Sequence, residues 1–133
     1  MASAPITCHV LDTLSGTPAS NLNVLLTLLT PRLSFQEVPP SGVGFHAVTN
    51  EDGRVKEWIP NSKFSLQDML DQFDHGDKST WSLKFDVGKW YEERRISCFW
   101  PEIEVKFFVE KGTRHYHVPV LVGPWTYTTY RGS

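Results

Sequence analysis

The sequence predicts an all-β fold, a two-sheet antiparallel β-sandwich of about eight strands with one short helix, in a single domain covering residues 1–133. Three observations carry this prediction. Turn-forming residues punctuate the chain at short, regular intervals. Most segments between them alternate apolar and polar residues with the period of two that a half-buried strand requires. One segment alone follows the helical period.

The elements follow in chain order. Ile6–Asp12 puts Ile6, Cys8 and Val10 on one face and Thr7 and His9 on the other. Thr13–Pro18 is a turn-rich break, and Asn23–Thr30 is the next β-prone run. Pro31–Gly44 holds Pro31, Pro39, Pro40, Gly42 and Gly44, so it is expected to be a long loop. Phe45–Thr49 and Val55–Ile59 flank Asp52-Gly53, which predicts a hairpin because glycine tolerates the positive φ of the turn. Ser65 is a helix cap, and Leu66, Met69, Leu70 and Phe73 form a stripe for packing on a sheet. Strands resume with Trp81–Asp86, where Trp81, Leu83 and Phe85 share a face, and continue through Ile103, Val105, Phe107 and Val109. Tyr116–Val122 and Thr126–Tyr130 close the chain around Gly123-Pro124.

Composition narrows the function classes. Lys plus Arg total 13 against 15 for Asp plus Glu, and this near balance offers no basic surface for nucleic acid. No apolar stretch approaches the roughly 20 residues of a membrane helix. Met1–Pro5 lacks a basic region followed by an apolar core, so no secretory leader is expected. The cytoplasm is the default location; the peroxisome is the alternative, although Arg131-Gly132-Ser133 is not the usual Ser-Lys-Leu signal. Cys8 and Cys98 are too few for a disulfide framework, lack metal-ligand spacing and are expected to be reduced thiols.

Four features could carry chemistry. His9 lies mid-strand, where a lone histidine is more often structural than catalytic. Arg54 follows the Asp-Gly turn, where an arginine is usually a solvated charge. His115 and His117 flank Tyr116 and share a strand face, a spacing that can bind zinc. A zinc site wants three or four protein ligands, and only His9, His46 and His75 remain as candidates, so no metal is expected. Finally, good β-formers run from Thr126 to Tyr130, so an ordered end would fix Arg131 and the terminal carboxylate in place.

Together these stretches resemble a known family. Thr7-Cys8-His9-Val10-Leu11-Asp12 with Gly16-Thr17-Pro18-Ala19 resembles the N-terminal signature of the 5-hydroxyisourate hydrolases, or transthyretin-like proteins. Thr49-Asn50-Glu51-Asp52-Gly53-Arg54 resembles their internal motif. His115-Tyr116-His117-Val118-Pro119, closing on Tyr130-Arg131-Gly132-Ser133, resembles their C-terminal signature. The departures, chiefly Trp125 and the long Pro31–Gly44 loop, remove no candidate group.

The resemblance implies a transthyretin-like sandwich that assembles as a homotetramer, with sites in a channel at the dimer–dimer interface. It implies hydrolysis of a small molecule, 5-hydroxyisourate, to 2-oxo-4-hydroxy-4-carboxy-5-ureidoimidazoline, without a cofactor. It assigns catalysis to His9, Arg54 and His117, and substrate binding to His9, Arg54, Tyr130, Arg131, Gly132 and Ser133. His115 aligns with the motif and receives no chemical role. The rival is a carrier like transthyretin itself, which shares the fold but is expected to lack these residues. An immunoglobulin-like adhesion module is disfavoured by the missing Cys…Trp…Cys spacing.

Overall fold

The computed structural model describes residues 4–33 and 39–133, and in them two five-stranded sheets carry almost all of the regular structure. The strands are β1 (Ile6–Asp12), β2 (Thr17–Pro18), β3 (Asn23–Thr30), β4 (Gly44–Val48), β5 (Arg54–Val55), β6 (Ile59–Pro60), β7 (Lys78–Phe85), β8 (Ile103–Glu110), β9 (Tyr116–Val122) and β10 (Tyr127–Thr129). The helices are α1 (Leu66–Leu70) and α2 (Val87–Glu93). The first sheet runs β10-β9-β1-β2, with β5 also paired to β1; the second runs β6-β4-β3-β7-β8.

Alternation decides what each strand buries. Ile6, Cys8 and Val10 of β1 and Val118, Val120 and Val122 of β9 join one apolar cluster with Val24 and Leu26 of β3 and Trp81, Leu83 and Phe85 of β7. Each large side chain so buried contributes roughly 1.5–3 kcal/mol relative to exposure. Trp81 also satisfies its one polar atom, donating from Nε1 to Ser79 Oγ at 2.8 Å.

The strand that positions the site is β1. It pairs in parallel with β9 along its whole length, from Ile6 opposite Tyr116 to Asp12 opposite Val122. Every other pairing is antiparallel. The opposite edge of β1 is divided between β5, with His9 opposite Arg54, and β2, with Asp12 opposite Thr17.

Three sequence expectations need correction. The Asp52-Gly53 turn forms, with Gly53 N–H donating to the Asn50 carbonyl at 2.9 Å, but it does not make a hairpin. The strand before it, β4, belongs to the second sheet, and β5 after it belongs to the first. The free edge of β1 captures β5, and Val55 is buried as a result. The expected strand Val55–Ile59 is therefore split, its far end pairing with β4 as β6. Gly53 has φ +74°, and a Cβ there would lie 2.3 Å from the Val10 carbonyl, so only glycine fits beneath β1.

The second correction is a second helix, which raises the expected one to two. α2 is anchored by Val87, Trp90 and Tyr91, all buried. Trp90 Nε1 donates to the Ser20 carbonyl at 2.8 Å, and the Tyr91 hydroxyl donates to Asp12 Oδ1. The third is the strand count, which rises to ten because β2, β5 and β6 are two-residue pieces. By contrast, α1 starts where expected. Ser65 Oγ accepts from Asp68 N–H, and the Asp68 side chain accepts from Ser65 N–H, a reciprocal cap. The expected loop of residues 31–44 lies partly outside the described residues; 31–33 and 39–43 carry no strand. Cys8 and Cys98 are free thiols, and no helix among the described residues is long and apolar enough to cross a membrane.

Candidate active site

Because Ile6, Cys8 and Val10 face the core, Thr7, His9 and Leu11 face outward from the first sheet. Strand pairing then adds neighbours from distant parts of the sequence. β5 sets Arg54 opposite His9, and β9 sets His117 opposite Thr7 and Pro119 opposite His9. The chain end completes the arrangement. β10 pairs with β9, and Gly132 N–H then donates to the His117 carbonyl at 2.8 Å. A Cβ on Gly132 would lie 2.8 Å from His117 Cδ2 and 3.0 Å from Pro119 Cγ, so the tail approaches β9 this closely only as glycine.

The product is a cleft of ≈ 270 Å³ lined by His9, Arg54, His117, Tyr130, Gly132 and Ser133. An adjoining hollow of ≈ 190 Å³ adds Thr7, Lys56 and His115 to Arg54, His117 and Ser133.

Hydrogen bonds define the histidines. His9 Nε2 lies 2.8 Å from the Asp52 carbonyl oxygen. A carbonyl only accepts, so Nε2 carries the proton and the neutral ring leaves its Nδ1 lone pair free. His117 uses Nδ1 on the Thr7 hydroxyl at 2.7 Å, and Nε2 has no hydrogen-bond partner among the described residues. The same hydroxyl lies 3.1 Å from His115 Nε2. The His115 and His117 rings are near parallel, with centroids 6.3 Å apart.

Both cleft histidines are held below their ordinary pKa. Desolvation contributes most at His9, followed by the Arg54 charge, while the Asp52 carbonyl opposes the shift. At His117 desolvation again leads, followed by Arg54, His115 and His9. The pair is therefore neutral at neutral pH, the state in which an imidazole can take a proton. Arg54 supplies a planar, permanently charged fork of donors to the same cleft.

Of the sequence-derived site residues, one stands apart. The Arg131 guanidinium lies over the Tyr116 ring, 5.0 Å from its centroid, and lines an apolar groove with Phe107 and Tyr130. Alternation along the extended tail turns it away from the side that Tyr130 and Gly132 present to the cleft. Trp125 sits 79% exposed in the turn between β9 and β10 and does not line the cleft. Of the three candidate third metal ligands, His46 belongs to the other sheet and His75 packs beside Gly112, while His9 shares the cleft with His117. No group of three or more metal-binding side chains exists among the described residues. Sequence reasoning missed Thr7 and the Asp52 carbonyl as partners of the histidines. The strand period did place Thr7 on the His9 face, and that was the available signal.

A family model described as the HIUase/Transthyretin family matches residues 6–132. The chain belongs to this family. Among curated relatives, the 5-hydroxyisourate hydrolase of Mus musculus is 38% identical over 132 residues, covering 98% of this chain and 97% of the mouse protein. Among solved structures, the Klebsiella pneumoniae 5-hydroxyisourate hydrolase aligns with a TM-score of 0.66 and 24% identity, covering 98% of this chain and 100% of that one. Sea bream transthyretin in complex with thyroxine aligns with a TM-score of 0.70 and 22% identity, covering 97% and 95%. At these identities the structural likenesses carry the family's fold, and the choice between its activities rests on the site.

Proposed function

We propose that the chain hydrolyses 5-hydroxyisourate to 2-oxo-4-hydroxy-4-carboxy-5-ureidoimidazoline, a step of urate degradation. The observation that carries this reading is the convergence of His9, Arg54 and His117, from three different strands, on one cleft closed by Tyr130, Gly132 and Ser133. Full-length identity of 38% to a hydrolase of that name supports it.

The reaction opens a ring C–N bond with water. It needs a base for the water, a donor for the developing oxyanion, and a proton for the departing nitrogen. His9 presents the Nδ1 lone pair and His117 presents Nε2, so one takes the proton from water and passes it to the other, which delivers it to the departing nitrogen. Arg54 offers N–H groups to the carbonyl oxygen as charge builds on it. Tyr130 hydrogen-bonds the planar substrate, and Gly132 and Ser133 shape the wall. The side chains present supply each of these roles without a cofactor.

We further assign a homotetramer with sites at the dimer–dimer interface, in the cytoplasm. Exposed Phe108 and Tyr130, which line one apolar groove, support association, because contiguous exposed aromatics on a small chain mark interfaces. Among the described residues the outer edges of β8 and β10 are unpaired, which points the same way. A carrier role like that of transthyretin explains the fold equally well, but gives no reason for two neutral histidines and an arginine lining one cleft.

The test is direct. 5-Hydroxyisourate is generated from urate and urate oxidase, the protein is added, and the ultraviolet absorbance is followed. Decay well above the spontaneous rate is expected; decay at the spontaneous rate overturns the reading.

A further inference from the structure

We propose that Thr7 and His115 form a proton relay behind His117, in which the Thr7 hydroxyl passes protons between His117 Nδ1 and His115 Nε2. Thr7 and His115 are positioning residues in this scheme, since they act through His117 and not on substrate. The catalytic meaning of the relay rests on the hydrolase reading, but its existence does not.

The geometry supplies the chain of atoms. Thr7 is opposite His117 in the β1–β9 ladder, so its hydroxyl is delivered to the ring by strand register. It lies 2.7 Å from His117 Nδ1 and 3.1 Å from His115 Nε2. Thr7 is itself buried, and its hydroxyl makes no other hydrogen bond among the described residues. His115 is exposed, so the far end of the chain of atoms reaches solvent. A threonine hydroxyl has one proton, so between two neutral imidazoles it donates to one ring and accepts from the other. The tautomers of His115 and His117 are therefore coupled.

The coupling balances as a proton transfer. At the start His117 carries its proton on Nδ1, donating to Thr7, while Thr7 donates to the Nε2 lone pair of His115. His117 Nε2 then takes a proton from water in the cleft, and the resulting hydroxide forms the C–O bond as the carbonyl π bond opens and its electron pair moves to the oxygen that Arg54 faces. At the same time the Nδ1 proton moves to Thr7 Oγ1, and the former Thr7 proton moves to His115 Nε2. His117 ends neutral, protonated on Nε2, and His115 ends as an imidazolium that sheds its Nδ1 proton to solvent. His117 thus avoids becoming a cation beside Arg54. The charged and titratable groups around His117 make that avoidance worthwhile. Arg54 faces it from β5, His9 from β1, and His115 from the segment just before β9, and Lys56 lines the adjoining hollow.

Two measurements test the relay. Nitrogen-15 NMR of labelled histidine reads the tautomer of each ring across a pH titration. As His115 gains its second proton, Nε2–H must donate to Thr7, Thr7 must donate to His117 Nδ1, and His117 must shift to the Nε2–H tautomer. That shift is expected in the wild type and in Thr7→Ser, and is expected to vanish in Thr7→Val, which keeps the shape and removes the hydroxyl. An identical His117 titration in Thr7→Val and wild type overturns the relay. In turnover of 5-hydroxyisourate, Thr7→Val is expected to lower kcat by at least about tenfold, a part of what acid–base catalysis supplies, with KM unchanged and Thr7→Ser restoring it. The exposed His115→Gln leaves the fold untouched, and its kcat loss is expected to be rescued by added imidazole. Full kcat in both Thr7→Val and His115→Gln overturns the catalytic role of the relay. A wild type that does not accelerate decay overturns the hydrolase reading instead, and the NMR titration still decides the coupling.

Discussion

His9 and Arg54 stand directly opposite one another across the β1–β5 ladder, so a permanent cation neighbours an imidazole whose Nε2–H is fixed on the Asp52 carbonyl. The pairing sets the charge state of the cleft. With both histidines held below the usual 6.5, the folded protein binds fewer protons there than the unfolded chain does. Stability therefore falls as pH drops below about 6.5 and levels off below the folded-state values. Activity that needs neutral histidines fades on the same acid side. In Arg54→Gln both histidines should titrate at higher pH than in wild type, measured by NMR, and the acid limb of any residual kcat/KM should move up with them.

Removal of either cleft histidine should be costly to turnover alone. His9→Ala and His117→Ala are each expected to lower kcat at least about a hundredfold, the lower end of what a positioned acid or base supplies. Neither faces the core, so thermal unfolding should change little. Near-full activity in one of them would remove that residue from the mechanism. Deleting residues 130–133 should likewise abolish turnover while the sandwich remains folded, as circular dichroism would report.

Gly132→Ala tests how closely the tail must lie on β9. The added methyl would sit 2.8 Å from the His117 ring and 3.0 Å from Pro119. Either the tail lifts or the ring turns, and each breaks the cleft. Activity should fall at least tenfold, in line with the roughly hundredfold cost of small misplacements in a site, while the denaturation midpoint stays near wild type. Unchanged kinetics would show that the tail is not held this closely in solution.

Tyr91→Phe addresses stability without touching the cleft. The Asp12 carboxylate is pushed up by burial but more strongly held down by hydrogen bonds from Ser15, Tyr91 and the Leu14 and Ser15 amides. A depressed carboxylate contributes stability that is present above about pH 3.9 and lost as pH falls through the folded value. Losing the Tyr91 hydroxyl should cost about 1–3 kcal/mol near neutrality and less in acid, which urea titrations at several pH values would measure.

The sequence was most legible where one strand makes its own case. Ile6, Cys8 and Val10, and Trp81, Leu83 and Phe85, bury the faces that alternation assigns them. The Asp52-Gly53 turn was legible too, because local backbone chemistry decides a turn. Its strands' destinations were not, because those depend on which distant edge is free, and here β1 offers one. α2 was hidden for a related reason. Gly88, Trp90 and Tyr91 are weak helix formers, and the helix is held by contacts to Ser20 and Asp12 far back in the chain.

The candidate site divides in the same way. His9, Arg54 and His117 were singled out by motif, and alternation put Thr7 on the right face. That Thr7 bridges His115 and His117 follows only from the parallel register of β1 on β9, which periodicity does not encode. Arg131 shows the converse: the motif groups it with its neighbours, while the geometry of an extended tail turns it toward Tyr116.

The parallel β1–β9 pair also governs when the site comes into being. Thr7 and His117 are 110 positions apart in the chain, so joining them closes one of the longest loops in the molecule. The entropy of that closure must be met before the contacts it brings can repay it, which places such pairings late in folding. A partly folded chain could hold β3, β4, β7 and β8, whose neighbours lie closer in sequence, and still possess no cleft. Catalytic competence is then a late milestone of folding, and its return after dilution from denaturant should trail the recovery of Trp81 burial.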